Sequence, residues 1–441
     1  MNQFTKSEEI VLVTANSQAD FKRKKQNKSM KFQPPKGTRD FLPKEMSARR
    51  KVYEKLREVL ESYGYGEIST PAFEDFELLA KKSGPEIEKE IYVFTDKAGR
   101  KLGLRFDPTV PICRIVASDS SLPKPIKFYY ITNMWRYDEP QSGRFREFWQ
   151  CGVELIGSDK PESDAEMLAI VNDCLKSLGV KEFYFVINSR KIVENFVNEA
   201  GIPESRKFDV FRSVDKLSKI GEDGVKKELE RIGIAKESID KIFTLIKSKK
   251  VSSTEIKELG AIKNFAEKMG VKNIKIDYSV VRGIDYYTGF VFETFIKGSE
   301  KIGSVASGGR YDTLIGLYGS QNIPATGFGM GIDRLLEILK IDEKYSQATV
   351  FVASVSDKVR EDVMKIARGL RQSGIKTDFD LMGKNLTKQL EYADSVGIPF
   401  VLIVGEMELK EKKFVLKDME KKTEKKLKLE EIIKSLGRNY R

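Results

Sequence analysis

Residues 136–156 read RYDEPQSGRFREFWQCGVELI. Successive side chains of an extended strand face opposite ways, so Arg146, Phe148, Gln150, Gly152 and Glu154 share one side, with Gln150 and Glu154 about 13 Å apart. The other side carries Phe145, Glu147, Trp149, Cys151, Val153 and Leu155, which is mostly apolar and can pack against a core. The first side presents a cation, a ring, an amide, a bare glycine and a carboxylate in a row, as a floor under an extended polar ligand would. Asp138 to Gly143 supplies a turn that returns Arg136 from the preceding strand towards this face. A half-solvated strand shows the same alternation, so the pattern alone leaves both readings standing.

The chain of 441 residues contains no histidine. That removes the side chain most often used as a general acid or base, and the chemistry must rest on other groups. Cys113, Cys151 and Cys174 are far apart and form no CxxC pair, so a zinc site of Cys/His type is close to excluded and the three read as small buried thiols. A net charge of +12 suits a polyanionic partner, because lysine and arginine contacts to phosphate dominate nucleic-acid affinity. A lysine-rich surface kept for solubility fits the same number. The composition is that of a globular chain, and no apolar run approaches the roughly 20 residues of a membrane span. With no signal-peptide pattern at the N-terminus, the expected location is cytoplasmic.

The elements that must position the 136–156 strand can be read from periodicity. Residues 1–29 are polar, basic and aperiodic, and are read as a disordered extension or as the product of an upstream start codon, with Met30 the true start. A first helix carries Val52, Leu56, Val59 and Leu60 at helical spacing, with Gly64 and Gly66 just past its end. Strand-like pieces follow at Glu67–Pro71, Lys101–Phe106, Ile126–Met134 and Phe145–Ile156, and return at Ile274–Val281 and Phe290–Phe295. Between them, residues 190–262 read as a helical insertion, with Ile239, Ile242, Phe243 and Ile246 on one face. A glycine-rich block leads into a helix from about Ile332 to Leu339. From Ala348 strands and helices alternate, which argues a parallel α/β unit with right-handed crossovers. The expected domains are therefore 30–189 with 263–342, 190–262, and 346–441. Beyond Glu406 the tail is rich in lysine.

The run RYDEPQSGRFREF resembles motif 2 of a class II aminoacyl-tRNA synthetase, and the chain from about residue 32 onward resembles the histidyl-tRNA synthetase family. KFQPPKGTRDFLPKEM is similar to that family's opening, LRFDPTVP to its amino-acid and ATP segment, and VRGIDYYTG to the motif peculiar to the histidine enzymes. SGGRYDTL and GFGMGIDR, the latter as motif 3, complete an ordered set, which is specific where any single motif is weak. The resemblance implies an α+β class II catalytic domain, an antiparallel sheet flanked by helices, with a helical insertion that clamps the acceptor stem and a C-terminal α/β anticodon-binding domain.

It also implies a reaction: the histidine carboxylate attacks the α-phosphate of ATP, forming histidyl-adenylate and expelling pyrophosphate, then the acyl group passes from the adenylate to the 3′ end of tRNA(His). The attacking carboxylate is already an anion, so the demand on the protein is electrostatic. By resemblance, Arg136 and Arg282 flank the α-phosphate as catalytic cations, Arg144 and Arg146 reach the outer phosphates, and Phe148 and Arg334 sandwich the adenine. Asp107, Thr109, Gln150, Glu154, Arg282, Tyr286 and Tyr287 match the histidine-binding positions, with core packing favoured for Tyr286. Gln141 and Arg144 match the part of the motif 2 loop that meets the tRNA end. Glycines 327, 329 and 331 leave room for close approach of ligand to backbone. ATP is expected as its Mg2+ complex with no tightly bound cofactor, the Mg2+ ligands are unassigned, and the assembly is expected to be a homodimer.

Two departures shorten carboxylates: Asp138 and Asp107 stand where the family often has Glu, though Asp107 also occurs in its archaeal and eukaryotic branch. After Glu408 charged residues replace the family's usual strand and turn pattern. Three rival readings remain in view. A regulatory paralogue of histidine biosynthesis would lack the anticodon domain and the arginines. A dead tRNA-sensing module would be attached to a kinase. A generic basic RNA-binding protein would lack the ordered motifs.

Overall fold

The computed structural model describes residues 32–81, 88–141, 143–248, 253–281, 286–319, 321–339 and 346–439. The extension proposed for residues 1–29 lies outside them. The chain divides into Met1–Pro35 and a second unit, Lys36–Arg441, which carries every element below.

Helix α1 (Pro43–Ser62) starts with proline in its first turn, where a missing N–H costs nothing. Its Val52, Leu56 and Leu60 are fully buried, as their spacing predicts. Then come β1 (Gly66–Glu67), β2 (Phe73–Asp75), α2 (Phe76–Ala80), β3 (Val93–Thr95), β4 (Lys101–Leu104), α3 (Thr109–Ser118), β5 (Ile126–Trp135), β6 (Glu147–Ile156), α4 (Pro161–Ser177) and β7 (Phe183–Ser189). Helices α5 (Arg190–Glu199), α6 (Lys207–Asp215), α7 (Leu217–Arg231), α8 (Lys236–Ser248) and α9 (Ser253–Lys268) separate β7 from β8 (Ile274–Ile276). The sheet is completed by β9 (Phe290–Ile296), β10 (Ala306–Arg310) and β11 (Ala325–Gly331), and α10 (Ile332–Leu339) follows directly.

Eight strands form the main sheet in the order β1-β5-β6-β11-β10-β9-β7-β8. The centre is antiparallel as expected, but both edges are not: β1 pairs with β5 and β8 with β7 in parallel. Each edge strand is only two or three residues long and is joined to its neighbour by a long connection, α2, the small sheet and α3 from β1 to β5 and helices α5–α9 from β7 to β8, as a parallel pair requires. β2, β4 and β3 make a separate antiparallel sheet in place of one long strand at Lys101–Phe106. One face of the main sheet packs under α1 and α4, with Tyr129, Cys151, Val153, Phe292 and Phe328 in a continuous core.

The insertion is smaller than its sequence suggests. α9, whose residues up to 262 read as insertion, buries Leu259, Ile262 and Ala266 in the main core, whereas Val210, Phe211, Val225, Ile239 and Phe243 form a core of their own. The helical periodicity of α9 is real, but periodicity does not say which core receives the face.

Arg310 of β10 is held by Asp164 of α4 at 2.9 and 3.0 Å, with side chains 4% and 2% exposed. It also donates to Ser158 O and Ser163 Oγ. Breaking a buried pair strands a charge, so Asp164→Asn should destabilise the fold by about 3–5 kcal/mol, read as a lower denaturant midpoint at unchanged slope.

The C-terminal sheet has the order β13-β12-β14-β15-β16, from β12 (Val350–Ser354), β13 (Thr377–Phe379), β14 (Phe400–Val404), β15 (Phe414–Asp418) and β16 (Thr423–Leu427). Its parallel part is crossed by α11 (Arg360–Gln372) and α12 (Leu386–Ser395), in the alternation read from Ala348. Past Glu408, where the sequence reads as charge in place of the usual strand and turn, α13 (Glu406–Glu411), the β15–β16 hairpin and α14 (Leu429–Asn439) continue the fold. β16 is almost wholly exposed, and its lysines sit on an edge strand, where charge opposes pairing with a second chain.

Candidate active site

The alternation in 146–154 marks a floor. Register places Phe128, Tyr130, Thr132 and Met134 of β5 opposite Glu154, Gly152, Gln150 and Phe148, and Gly327, Gly329 and Gly331 of β11 opposite Glu154, Gly152 and Gln150. The β5–β6 ladder runs on past the strand ends, with Arg136 N–H donating to Arg146 O at 2.9 Å, so the turn does bring Arg136 onto this face. The motif 2 loop closes with Gln141 bridged to Arg144.

Two of the three glycines, Gly327 and Gly329, have a more specific cause than ligand access. A Cβ on Gly327 would lie 2.1 Å from Glu154 Oε2, and one on Gly329 would lie 1.7 Å from Gln150 Nε2. The carboxylate and the amide are laid flat across β11, and only bare backbone leaves them room.

At the closed end, Glu154 is 2% exposed. Its Oε1 accepts from Thr109 Oγ1 at 2.7 Å, and its Oε2 accepts from the Tyr311 hydroxyl. Burial pushes its pKa up to about 8, against the opposing pull of those two donors; neighbouring Asp107 adds to the rise. Asp107, also buried, accepts Val110 N–H through Oδ1 at 3.3 Å, while its Oδ2 is buried with no partner. Burial raises this carboxyl too, and Arg136 opposes that. An unpaired buried carboxylate oxygen is costly, and a ligand cation at that spot would satisfy it. Tyr286 and Tyr287 are both buried in the cluster beneath, with Tyr286 edge-on to Tyr311 at 5.8 Å and beside Asp107, Glu154 and Thr109. The ring of Tyr286 is thus packed core, as favoured, and yet part of the pocket wall.

Towards the open end, Arg136 Nε donates to Phe106 O at 3.1 Å, and its guanidinium lies 5.3 Å from the Phe148 ring centre. Arg144 pairs with Asp138 at 3.1 Å on the rim. Arg146 donates to Asp138 O and lies 4.0 Å over Tyr137. Arg334, two residues into α10, is tied to Ser304 O. Glu154, Gln150, Phe148 and Arg146 thus follow one another along one face of β6 towards the motif 2 loop, with Arg136 beside them; Arg282 lies outside the described residues.

Sequence reasoning missed Tyr311, although SGGRYD carries it, because its partner Glu154 is 157 positions away. Register also places Glu293 and Ser307 opposite each other on the glycine-lined face, where the sequence reading assigned nothing. Among the described residues no cluster of three metal-binding side chains occurs, and no helix is long and apolar enough to cross a membrane.

The family model described as histidyl-tRNA synthetase matches residues 37–335, and that of an anticodon binding domain matches 349–439. The histidine–tRNA ligase of Pyrococcus furiosus is 40% identical over 420 residues, covering 90% of this chain and 97% of that protein. That of Methanococcus maripaludis is 39% identical over 424 residues, covering 91% and 99%. The crystal structure of histidyl-tRNA synthetase from Nostoc sp. PCC 7120 superposes with a TM-score of 0.78 at 28% identity, over 92% of this chain and 99% of that one.

Proposed function

Since the chain belongs to the histidyl-tRNA synthetase family and is a histidine–tRNA ligase, we propose how its own residues divide the reaction. The observation that carries the assignment is the pocket end: a buried carboxylate held by two hydroxyls, next to a second with one empty oxygen. Histidine offers a ring N–H and an ammonium group. Glu154 takes the ring N–H, and Asp107 Oδ2 takes the ammonium. Gln150 lies between them and the phosphates.

That placement sets the substrate carboxylate beside Arg136. Charge developing on the α-phosphate meets a guanidinium already oriented by Phe106 O, so little reorganisation is needed as the bond forms. Arg282 is assigned the opposite side of the same phosphate, on the strength of the RGIDYY motif. Phe148 and Arg334 take the adenine from its two faces, and Arg144 and Arg146 take the outer phosphates. ATP enters as its Mg2+ complex, which needs only one or two protein carboxylates; Glu293, on the same face of the sheet, is our candidate. For transfer, a phosphate oxygen of the adenylate serves as base, which suits a chain with no histidine. tRNA(His) spans the insertion and the anticodon domain, and the enzyme works as a cytoplasmic homodimer.

Replacing Arg282 by alanine should abolish most histidine-dependent ATP–pyrophosphate exchange while calorimetry still shows histidine bound. Retained turnover would remove Arg282 from the phosphate.

A further inference from the structure

The β11–β6 ladder ends at Gly331 opposite Gln150. One residue further along β6, the Trp149 N–H meets not a strand but a side chain, Asp333 Oδ2, at 2.6 Å. Asp333 sits in the first turn of α10, and its side chain is 3% exposed. Its other oxygen accepts from Arg39 Nη2 at 2.7 Å and from Arg49 Nη2 of α1. The two guanidiniums are stacked on rings in turn: Arg39 lies 3.4 Å from the centre of Phe145, and Arg49 lies 3.7 Å from that of Phe41. Arg49 also donates to Tyr53 Oη at 3.3 Å, and Tyr53 stacks on Trp149 at 5.3 Å.

One carboxylate therefore joins three pieces of chain that no local contact would hold together: the segment leading into α1, α1 itself, and the strand β6 where its partner β11 turns away into a helix. Trp149 is the residue after Phe148, and Asp333 is the residue before Arg334. The bond between them spans the roots of the two side chains assigned to the faces of the adenine.

We infer that Asp333, clamped by Arg39 and Arg49, is a positioning residue that sets the width of the nucleotide slot by fixing Phe148 relative to Arg334. It touches no substrate. Arg49 and Asp333 are buried on the core side of β6, while Phe148 and Gln150 point to the channel. An ordinary structural salt bridge would be indifferent to which substrate is being bound. This one joins the two walls of the ATP slot and meets the histidine pocket only at its edge, through Gln150 beside Trp149, while the pocket's two carboxylates, Glu154 and Asp107, are held by Thr109, Tyr311 and Val110 instead.

The test separates the two substrates. In the full-length protein, Asp333→Asn keeps the shape of the carboxylate but loses its charge, and an oxygen remains for only one of its two duties. Exchange measured with ATP and histidine varied separately should show KM for ATP raised about tenfold and KM for histidine within about twofold of wild type. Arg49→Met, far from any substrate, should shift the same constant in the same direction. If Asp333→Asn does not fold, Arg39→Met tests the same carboxylate from its half-exposed partner, with KM for ATP raised about threefold. Equal shifts in both KM values, or a loss of folded protein with both values intact, would overturn the inference. It rests on the assignment of Phe148 and Arg334 to the adenine, and Phe148→Ala distinguishes the two failures. If that variant leaves KM for ATP unchanged, the adenine assignment is wrong; if it raises KM while Asp333→Asn does not, only the positioning role is.

Discussion

Replacing Arg136 with alanine should lower kcat for histidine-dependent pyrophosphate exchange by about 10²–10³, the cost of removing one preorganised group that stabilises developing charge, roughly 3–4 kcal/mol. The loss should fall on kcat, because the attacking carboxylate needs no base and the barrier lies in charge gathering on the phosphate. Lysine at the same position should recover part of the rate but not all of it. It keeps the charge yet cannot donate to Phe106 O and present a second N–H pair to the phosphate at once. A smaller effect on histidine affinity is expected as well. Arg136 opposes the rise in the Asp107 pKa, and without it more of that carboxyl is neutral and unable to hold an ammonium. Stopped-flow measurement of adenylate formation separates the two effects. An unchanged rate at saturating histidine would place Arg136 away from the reacting phosphate.

The second large effect belongs to Glu154. Changing it to alanine should raise KM for histidine by about 10³ or more, since a site built to pair a ring N–H is left with unpaired hydroxyls on Thr109 and Tyr311 when the acceptor goes. Its pH behaviour follows from a folded pKa of about 8. The free enzyme holds a proton on Glu154 at neutral pH, and bound histidine shares that proton with it. Below about 6.5 free histidine must shed a proton to bind, and above about 8 the enzyme must gain one. KM for histidine should therefore be flat between those values and rise on both sides, and in Glu154→Gln the alkaline rise should vanish. Stability carries the same signature. The folded pKa lies above the unfolded value, so the folded state holds more protons between about 4.5 and 8 and is progressively destabilised as pH climbs through that window. Glu154→Gln should gain on wild type from pH 5 to pH 9 in denaturant midpoint; parallel curves would mean Glu154 is ionised throughout.

How much of this was visible in the sequence depends on the range of the contacts involved. The floor of the site was legible because period-two alternation in β6 is local, and the same holds for α10, whose span Ile332–Leu339 follows from its apolar periodicity. The glycines of β11 were legible as a need for space, but not as space for Glu154 and Gln150, since that requires the β11–β6 register across 173 positions. Tyr311 and Asp333 were missed for the same reason: their partners are 157 and 184 or more residues away, and nothing in the flanking residues announces them. The membership of α9 was misread because one amphipathic stripe fits either core. The β15–β16 hairpin was hidden by its own lysines, which suit an edge strand but look like loop when the partner strand is unknown.

ATP–pyrophosphate exchange with each of the twenty amino acids in turn tests the account most directly. Stimulation by histidine alone, lost in Arg136→Ala and weakened through KM in Glu154→Ala, is the predicted result. Exchange that histidine does not stimulate, or that proceeds equally with another amino acid, would contradict it.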